Sequence, residues 1–123
     1  MIQNLGVDVV EVKRIKKAIN TWGDAFLKRV FTDGEIKYSG KHRFLYEHLA
    51  ARFAAKEAVF KAFGNGKTKA IQWREIEILN DTHGKPVVAV HGNARKALGR
   101  NRIILSMAHT KEYAVANAAI VKR

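Results

Sequence analysis

From about Phe44 to Phe63 the chain runs through a stretch of helix formers whose apolar residues occupy nearly the whole helical circumference. Ala50, Ala51, Phe53, Ala54, Ala55, Ala58, Val59, Phe60, Ala62 and Phe63 leave little room for a solvated face. A helix apolar nearly all round belongs at the centre of its domain rather than on the surface. Charges interrupt it, and Glu57 and Lys61 share one face of it. At 100° per residue, Ala50, Phe53, Ala54, Phe60 and Gly64 lie within about 60° of Glu57, and Lys61 follows one turn on. A charge on such a face is costly unless it has a partner. Glu57 and Lys61 can pair with each other at i,i+4, a common and weak arrangement, or serve a ligand.

The remaining segments fall into order around that helix. Leu5–Val10 reads as a short strand leading into an amphipathic helix over about Val12–Trp22, where Val12, Ile15, Ile19 and Trp22 form one apolar face and Gly23 stops the turn. Asp24 opens a short helix ending near Phe31. Thr32-Asp33-Gly34-Glu35 fits a capping box. Beyond Gly64-Asn65-Gly66 the period changes: Ile76–Leu79, Pro86–Val90, Ile103–Ala108 and Tyr113–Val121 read as strands, with a hairpin turn at Asn80–Lys85 and a short helix at Asn93–Leu98. The 123 residues, 47% of them apolar and with a single proline, suit one domain spanning 1–123 and exclude disorder of the whole. Early helices and late hairpin-linked strands predict an α+β fold, helices packed on a largely antiparallel sheet.

Two further polar residues stand out. Asp8 breaks the apolar run Gly6-Val7-Asp8-Val9-Val10; it reads either as a helix cap or as a functional carboxylate, and the β-branched pair that follows is a poor helix start. His109 closes the Ile103–Ala108 strand, where a solvated turn histidine is the ordinary alternative. Asp8 and Glu57 come from different elements and have no Cys or His companions in sequence. An oxygen-only pair suits Mg²⁺, which keeps waters and is completed by substrate phosphates. Lys61 can hold those phosphates, and Gly64 and Gly66 let backbone approach a ligand. No GxxxxGK[ST] loop is present. The combination points to Mg²⁺-dependent transfer from a diphosphate.

The 23 basic against 11 acidic residues, a net charge of +12, call for an acidic partner. A small basic nucleic-acid-binding module would also explain that excess, but it leaves Asp8 and Glu57 unexplained and lacks an aromatic stacking platform, so nucleic acid is not the expected partner. No apolar run approaches a membrane span, no signal peptide is visible, and cysteine is absent, which together predict a cytoplasmic protein without a membrane partner.

At these residues the sequence resembles a known family. Gly6-Val7-Asp8-Val9-Val10-Glu11-Val12-Lys13-Arg14-Ile15, Phe31-Thr32-Asp33-Gly34-Glu35, the run from Arg52 to Gly66, Gly84-Lys85-Pro86 and Leu105-Ser106-Met107-Ala108-His109-Thr110 resemble, in order, the motifs of the holo-[acyl-carrier-protein] synthases, short bacterial 4′-phosphopantetheinyl transferases. Two positions depart from the pattern: Met107-Ala108 replaces a hydroxyl-bearing segment, and Asn65 stands where Thr is usual. The resemblance implies transfer of 4′-phosphopantetheine from coenzyme A to a serine of apo-acyl carrier protein, releasing adenosine 3′,5′-bisphosphate and serving fatty acid biosynthesis. It implies Asp8 and Glu57 as Mg²⁺ ligands and Lys61 at the departing phosphate. It places Arg52, Lys56, His109 and Thr110 at the nucleotide end, with Gly64, Gly66 and Pro86 lining the pocket. Either Glu57 or a metal-bound water would take the serine proton. It further implies a homotrimer with active sites between subunits, which would give the apolar Tyr113–Val121 strand a buried or interfacial place. The basic residues Lys13, Arg14 and Lys17 form the expected docking face for the acidic carrier protein.

Overall fold

The computed structural model describes residues 1–64, 66 and 68–123. In chain order the elements are β1 (Ile2–Glu11), α1 (Val12–Trp22), α2 (Asp24–Val30), α3 (Asp33–Gly40), α4 (Leu45–Phe63), a 3₁₀ turn (Trp73–Glu75), β2 (Ile76–Asn80), β3 (Pro86–Val90), α5 (Gly92–Leu98), β4 (Arg102–His109) and β5 (Tyr113–Val121). The helix α3 is an addition to the expected set. Its start is the capping box foreseen at Thr32: the hydroxyl accepts from Glu35 N–H, and Glu35 Oε1 accepts from Thr32 N–H.

The expected antiparallel sheet is divided in two. β1, β5 and β4 form one sheet in the order β1-β5-β4, and β2 pairs β3 in a separate hairpin. Both are antiparallel throughout. α4 lies on the three-stranded sheet against Val10, Leu105, Ala114, Ala116, Ala118 and Ile120, and on its other side meets Ile76 and Ile78 of β2. Small side chains on β5 and on α4 let the helix settle close to the strands, which is why an almost wholly apolar helix has no solvent face to spare. Trp73 stacks on Phe53 at 5.1 Å and meets Phe60 edge-on at 5.0 Å, sealing the α4 side that faces the hairpin.

One expectation is corrected and one alternative is set aside. Trp22 belongs by spacing to the apolar face of α1, yet it is 67% exposed: Val12 and Ile15 are buried, and α1 has run past the core by its last turn. Gly23, with φ of 56°, then ends that helix in a conformation most side chains avoid. Asp8 is no helix cap. It sits mid-strand opposite Ala116, and Glu11 takes the cap position without a side-chain bond. Among the described residues, no helix is long and apolar enough to cross a membrane.

Candidate active site

Strand alternation turns Gly6, Asp8 and Val10 toward α4, and Leu5, Val7 and Val9 away from it. Asp8 therefore meets the helix where Glu57 and Lys61 project. Lys61 Nζ lies 3.0 Å from Asp8 Oδ1 and also donates to the Val7 carbonyl at 3.0 Å, so it pairs with the strand rather than with Glu57 alone. The Asp8 side chain is 15% exposed and Lys61 53%, a partly shielded carboxylate beneath a solvent-facing amine. Partial burial pushes the Glu57 carboxyl above its usual range; the neighbouring Asp8 charge adds to this, while Lys61 and Arg14 oppose it.

Two carboxylates from different elements that repel one another form an oxygen-only donor set, and a hard divalent cation relieves that repulsion. The described residues contain no group of three or more Asp, Glu, His or Cys able to hold a metal ion. Two carboxylates leave most of a cation's coordination to water and ligand oxygens, so the residues present fit Mg²⁺ together with a phosphate-bearing ligand.

The opposite side of α4 carries Arg52 and Lys56. Arg52 is buried but lines a cleft of ≈ 540 Å³ walled by Gly34, Tyr38, Ile78, Asn80 and Gly84. Its Nη2 donates to Asn80 Oδ1 at 2.6 Å, the guanidinium lies 4.4 Å from the Tyr38 ring centroid, and its Nε is buried without a partner among the described residues. Asn80 in turn donates to the Gly84 carbonyl at 3.0 Å, which ties Arg52 to the β2–β3 turn ahead of Pro86. Tyr38 and Asn80 carry no sequence signal of their own; the tertiary contact with Arg52 picks them out.

Lys56 is the clear correction. It was expected at the nucleotide end, but its side chain is fully buried, with Nζ 2.7 Å from Glu35 Oε1 and donating to the carbonyls of Ile76 at 2.7 Å and Trp73 at 3.1 Å. Three donors meet three acceptors, so nothing remains for a ligand. Glu35 is completed by the Thr32 and Ile78 amides. Spacing could not reveal this, because Glu35 and Lys56 meet only after α3 packs on α4.

His109 lies on the same face of the sheet as Asp8 but two strands away, opposite Ala114, which pairs with Val10. That is roughly 10 Å across the sheet. Its near neighbour is His48, with ring centroids 5.4 Å apart; His42 lies 4.4 Å from His48, and Tyr38 4.4 Å from His42. One chain therefore does not bring His109 to the carboxylates. Burial first, then the charges of His42, His109 and Arg52, lower His48 from 6.5 to about 4. The folded state favours neutral His48, so below pH 6.5 the unfolded chain takes up the proton first and stability declines as pH falls toward 4. His48→Phe is expected to flatten the loss of Tm between pH 7 and pH 5; an unaltered Tm–pH slope would contradict this origin.

The other expected residues fall as follows. Gly64 closes α4 with φ of 88°, its N–H donating to Lys61 and Phe60 carbonyls, one turn from the carboxylate cluster; Gly66 is exposed just beyond. Asn65 lies outside the described residues. Thr110 is exposed but its hydroxyl accepts from the amides of Glu112 (3.2 Å) and Tyr113 (3.1 Å), shaping the β4–β5 turn. Lys13, Arg14 and Lys17 are exposed on α1, and Arg14 is close enough to Glu57 to affect its titration.

Comparison with known proteins accords with this arrangement. Residues 4–118 match the model of the 4′-phosphopantetheinyl transferase superfamily. A holo-[acyl-carrier-protein] synthase of Chlamydia trachomatis serovar D is 46% identical over 114 residues, covering 93% of this chain and 95% of its own. The crystal structure of holo-[acyl-carrier-protein] synthase from Neisseria meningitidis superposes with a TM-score of 0.89 at 35% identity, over 99% of this chain and 100% of that one. A holo-(acyl-carrier-protein) synthase from Bacillus anthracis, solved in complex with CoA (3′,5′-ADP), gives a TM-score of 0.83 at 34% identity over 100% and 99% of the two chains. A strand carboxylate facing a helix carboxylate, on a fold matched along essentially its whole length, leads to one assignment: the chain belongs to the holo-[acyl-carrier-protein] synthase family of 4′-phosphopantetheinyl transferases.

Proposed function

We propose that the protein transfers the 4′-phosphopantetheine arm of coenzyme A to a serine of an apo-acyl carrier protein, using Mg²⁺ held by Asp8 and Glu57, and so serves fatty acid biosynthesis in the cytoplasm. The observation that carries this reading is the convergence of Asp8, Glu57 and Lys61 where β1 crosses the last turns of α4. Asp8 and Glu57 would hold the cation, whose chemistry there would be neutralisation of charge on the coenzyme A diphosphate. The serine oxygen forms a bond to the phosphorus bearing the pantetheine arm, the bond to the bridging oxygen breaks, and adenosine 3′,5′-bisphosphate departs. Lys61, half exposed, would receive the departing phosphate. Glu57, or a water in the site, would take the serine proton. Arg52, Asn80 and Gly84 line the cleft offered to the nucleotide, with Pro86 just beyond its rim in sequence.

The separation of His109 from Asp8 within one chain supports a site shared between subunits, with His109 and Thr110 supplied by a neighbour. The outer face of the three-stranded sheet supports the same reading. Leu5 (69% exposed), Val7 (52%), Val9 (60%) and Ile104 (49%) lie on it with Ala119, Val115 and Ala108 around the polar pair Asn117 and Ser106, a largely apolar surface that a monomer would leave in water. Ile104→Glu, remote from Asp8, is expected to convert a trimer to monomers in sedimentation and to cut transfer more than 10-fold; a fully active monomer would refute the shared site.

The basic face of α1 faces solvent beside the carboxylates, with exposed Trp22 at its end. Reversing Lys13 and Lys17 to Glu, with Arg14 left in place beside Glu57, is expected to raise the carrier-protein KM at least 10-fold with the coenzyme A KM nearly unchanged, and an unchanged carrier KM would place docking elsewhere. The reaction itself is tested by intact-mass spectrometry of apo-acyl carrier protein incubated with this protein, coenzyme A and Mg²⁺. Gain of one phosphopantetheine arm, lost with EDTA, is the expected result. No gain with several carriers, alongside tight, salt-sensitive and EDTA-indifferent binding of nucleic acid, would overturn it.

A further inference from the structure

Gly6 is buried where β1 passes α4. A Cβ built on it would collide with the Ala58 carbonyl oxygen, and would lie 2.8 Å from the Ala62 nitrogen and 3.0 Å from the Ala58 carbonyl carbon. Strand backbone thus rests directly on helix backbone. The contact is flanked by the polar trio: Asp8 is two residues along on the same strand face, Glu57 immediately precedes Ala58, and Lys61 immediately precedes Ala62. Ordinary contact begins near 3.4 Å, so any side chain at position 6 parts strand from helix by on the order of 1 Å. Metal–oxygen distances tolerate only about ±0.2 Å, and Mg²⁺ demands near-ideal geometry at about 2.1 Å.

The geometry points to Gly6 as a positioning residue: its missing side chain sets the separation of Asp8 and Glu57 and thereby the affinity of that pair for a divalent cation. This rests on the proposed metal reading of the two carboxylates. Gly6 touches neither cation nor substrate; it acts through the spacing of β1 and α4. The Lys61–Asp8 and Lys61–Val7 contacts, both 3.0 Å, cross the same gap and stretch with it.

The test uses Mn²⁺ as probe, titrated by electron paramagnetic resonance on the full chain in its native assembly with coenzyme A present. Gly6→Ala is expected to keep its circular dichroism spectrum and to bind Mn²⁺ at least 10-fold more weakly. Gly40→Ala, at a position with open space around it, is the control and binds as the parent does. Asp8→Glu in the parent overfills a gap of set width and also weakens binding. In Gly6→Ala the longer side chain spans the widened gap, so Gly6→Ala/Asp8→Glu recovers at least 3-fold over Gly6→Ala. Parent-like Mn²⁺ affinity in Gly6→Ala overturns the inference. If Gly6→Ala does not fold, Asp8→Glu decides: affinity equal to the parent means the separation is not set, whereas a 10-fold loss upholds it. A parent protein that binds no Mn²⁺ sinks the metal reading, and this inference with it.

Discussion

Glu57→Gln is expected to reduce phosphopantetheine transfer by at least 100-fold while leaving Tm unchanged or slightly higher. The substitution keeps volume and shape but, on the proposed reading, removes one of the two charges that would hold the cation, so charge on the diphosphate would no longer be balanced at bond cleavage. Stability moves the other way. Burial and the adjacent Asp8 charge raise the Glu57 pKa, so ionising it in the folded protein is unfavourable compared with the unfolded chain. A neutral isostere removes that repulsion. On the proposed metal reading the same shift gives a pH dependence: a proton competes with the cation for Glu57, so the Mg²⁺ concentration for half-maximal rate is expected to rise toward acid pH. Single-turnover rates by intact mass, together with calorimetric Tm, check the pair of effects. Near-normal turnover in Glu57→Gln would remove Glu57 from the metal site.

Lys56→Met is expected to lower Tm by roughly 10–20 °C, the largest stability effect of any single change considered. Removing one member of a buried ion pair leaves the other charged and unpartnered, at a cost of about 3–5 kcal/mol, and for a chain of this size each kcal/mol moves Tm by a few degrees. Here the abandoned group is Glu35, which is 1% exposed, and the carbonyls of Trp73 and Ile76 lose their donor as well. Lys56→Met/Glu35→Gln is expected to recover part of the loss, because a neutral amide no longer requires a counter-charge. A residue that bound the nucleotide would behave differently: Lys56→Met would keep its Tm and raise the coenzyme A KM. Thermal unfolding of both variants alongside coenzyme A binding separates the two roles.

Much of the local structure was legible in the sequence, for physical reasons that act over a few residues. Val12–Trp22, Pro86–Val90 and Tyr113–Val121 begin and end where periodicity places them, since apolar spacing and a terminating glycine or turn are local properties. The capping box at Thr32 is equally local. Asp8, Glu57 and Lys61 could be singled out because each is a charge in an apolar run, and burying charge without a partner is costly enough to be conspicuous. Other roles were not legible. Lys56 occupies the same apolar helix as Glu57 and is also charged, yet one faces the hairpin and the other faces β1. Trp22 continues the stripe of Val12, Ile15 and Ile19, but α1 outruns the core, so the last member of the stripe is left in water.

The sequence by itself determined most of the helices and strands, with α3 beyond its capping box the exception, and that a central apolar helix carries charges needing partners. Tertiary structure alone decided how those charges are divided. Rotation of α4 between two sheets sends Lys56 to Glu35 and Arg52 to Asn80, while Glu57 and Lys61 turn to Asp8. The β1-β5-β4 order leaves His109 two strands from the carboxylates. The physical reason is that side-chain periodicity reports only which residues share a face, whereas partners 21 to 53 positions apart are chosen by packing between elements that no local pattern records.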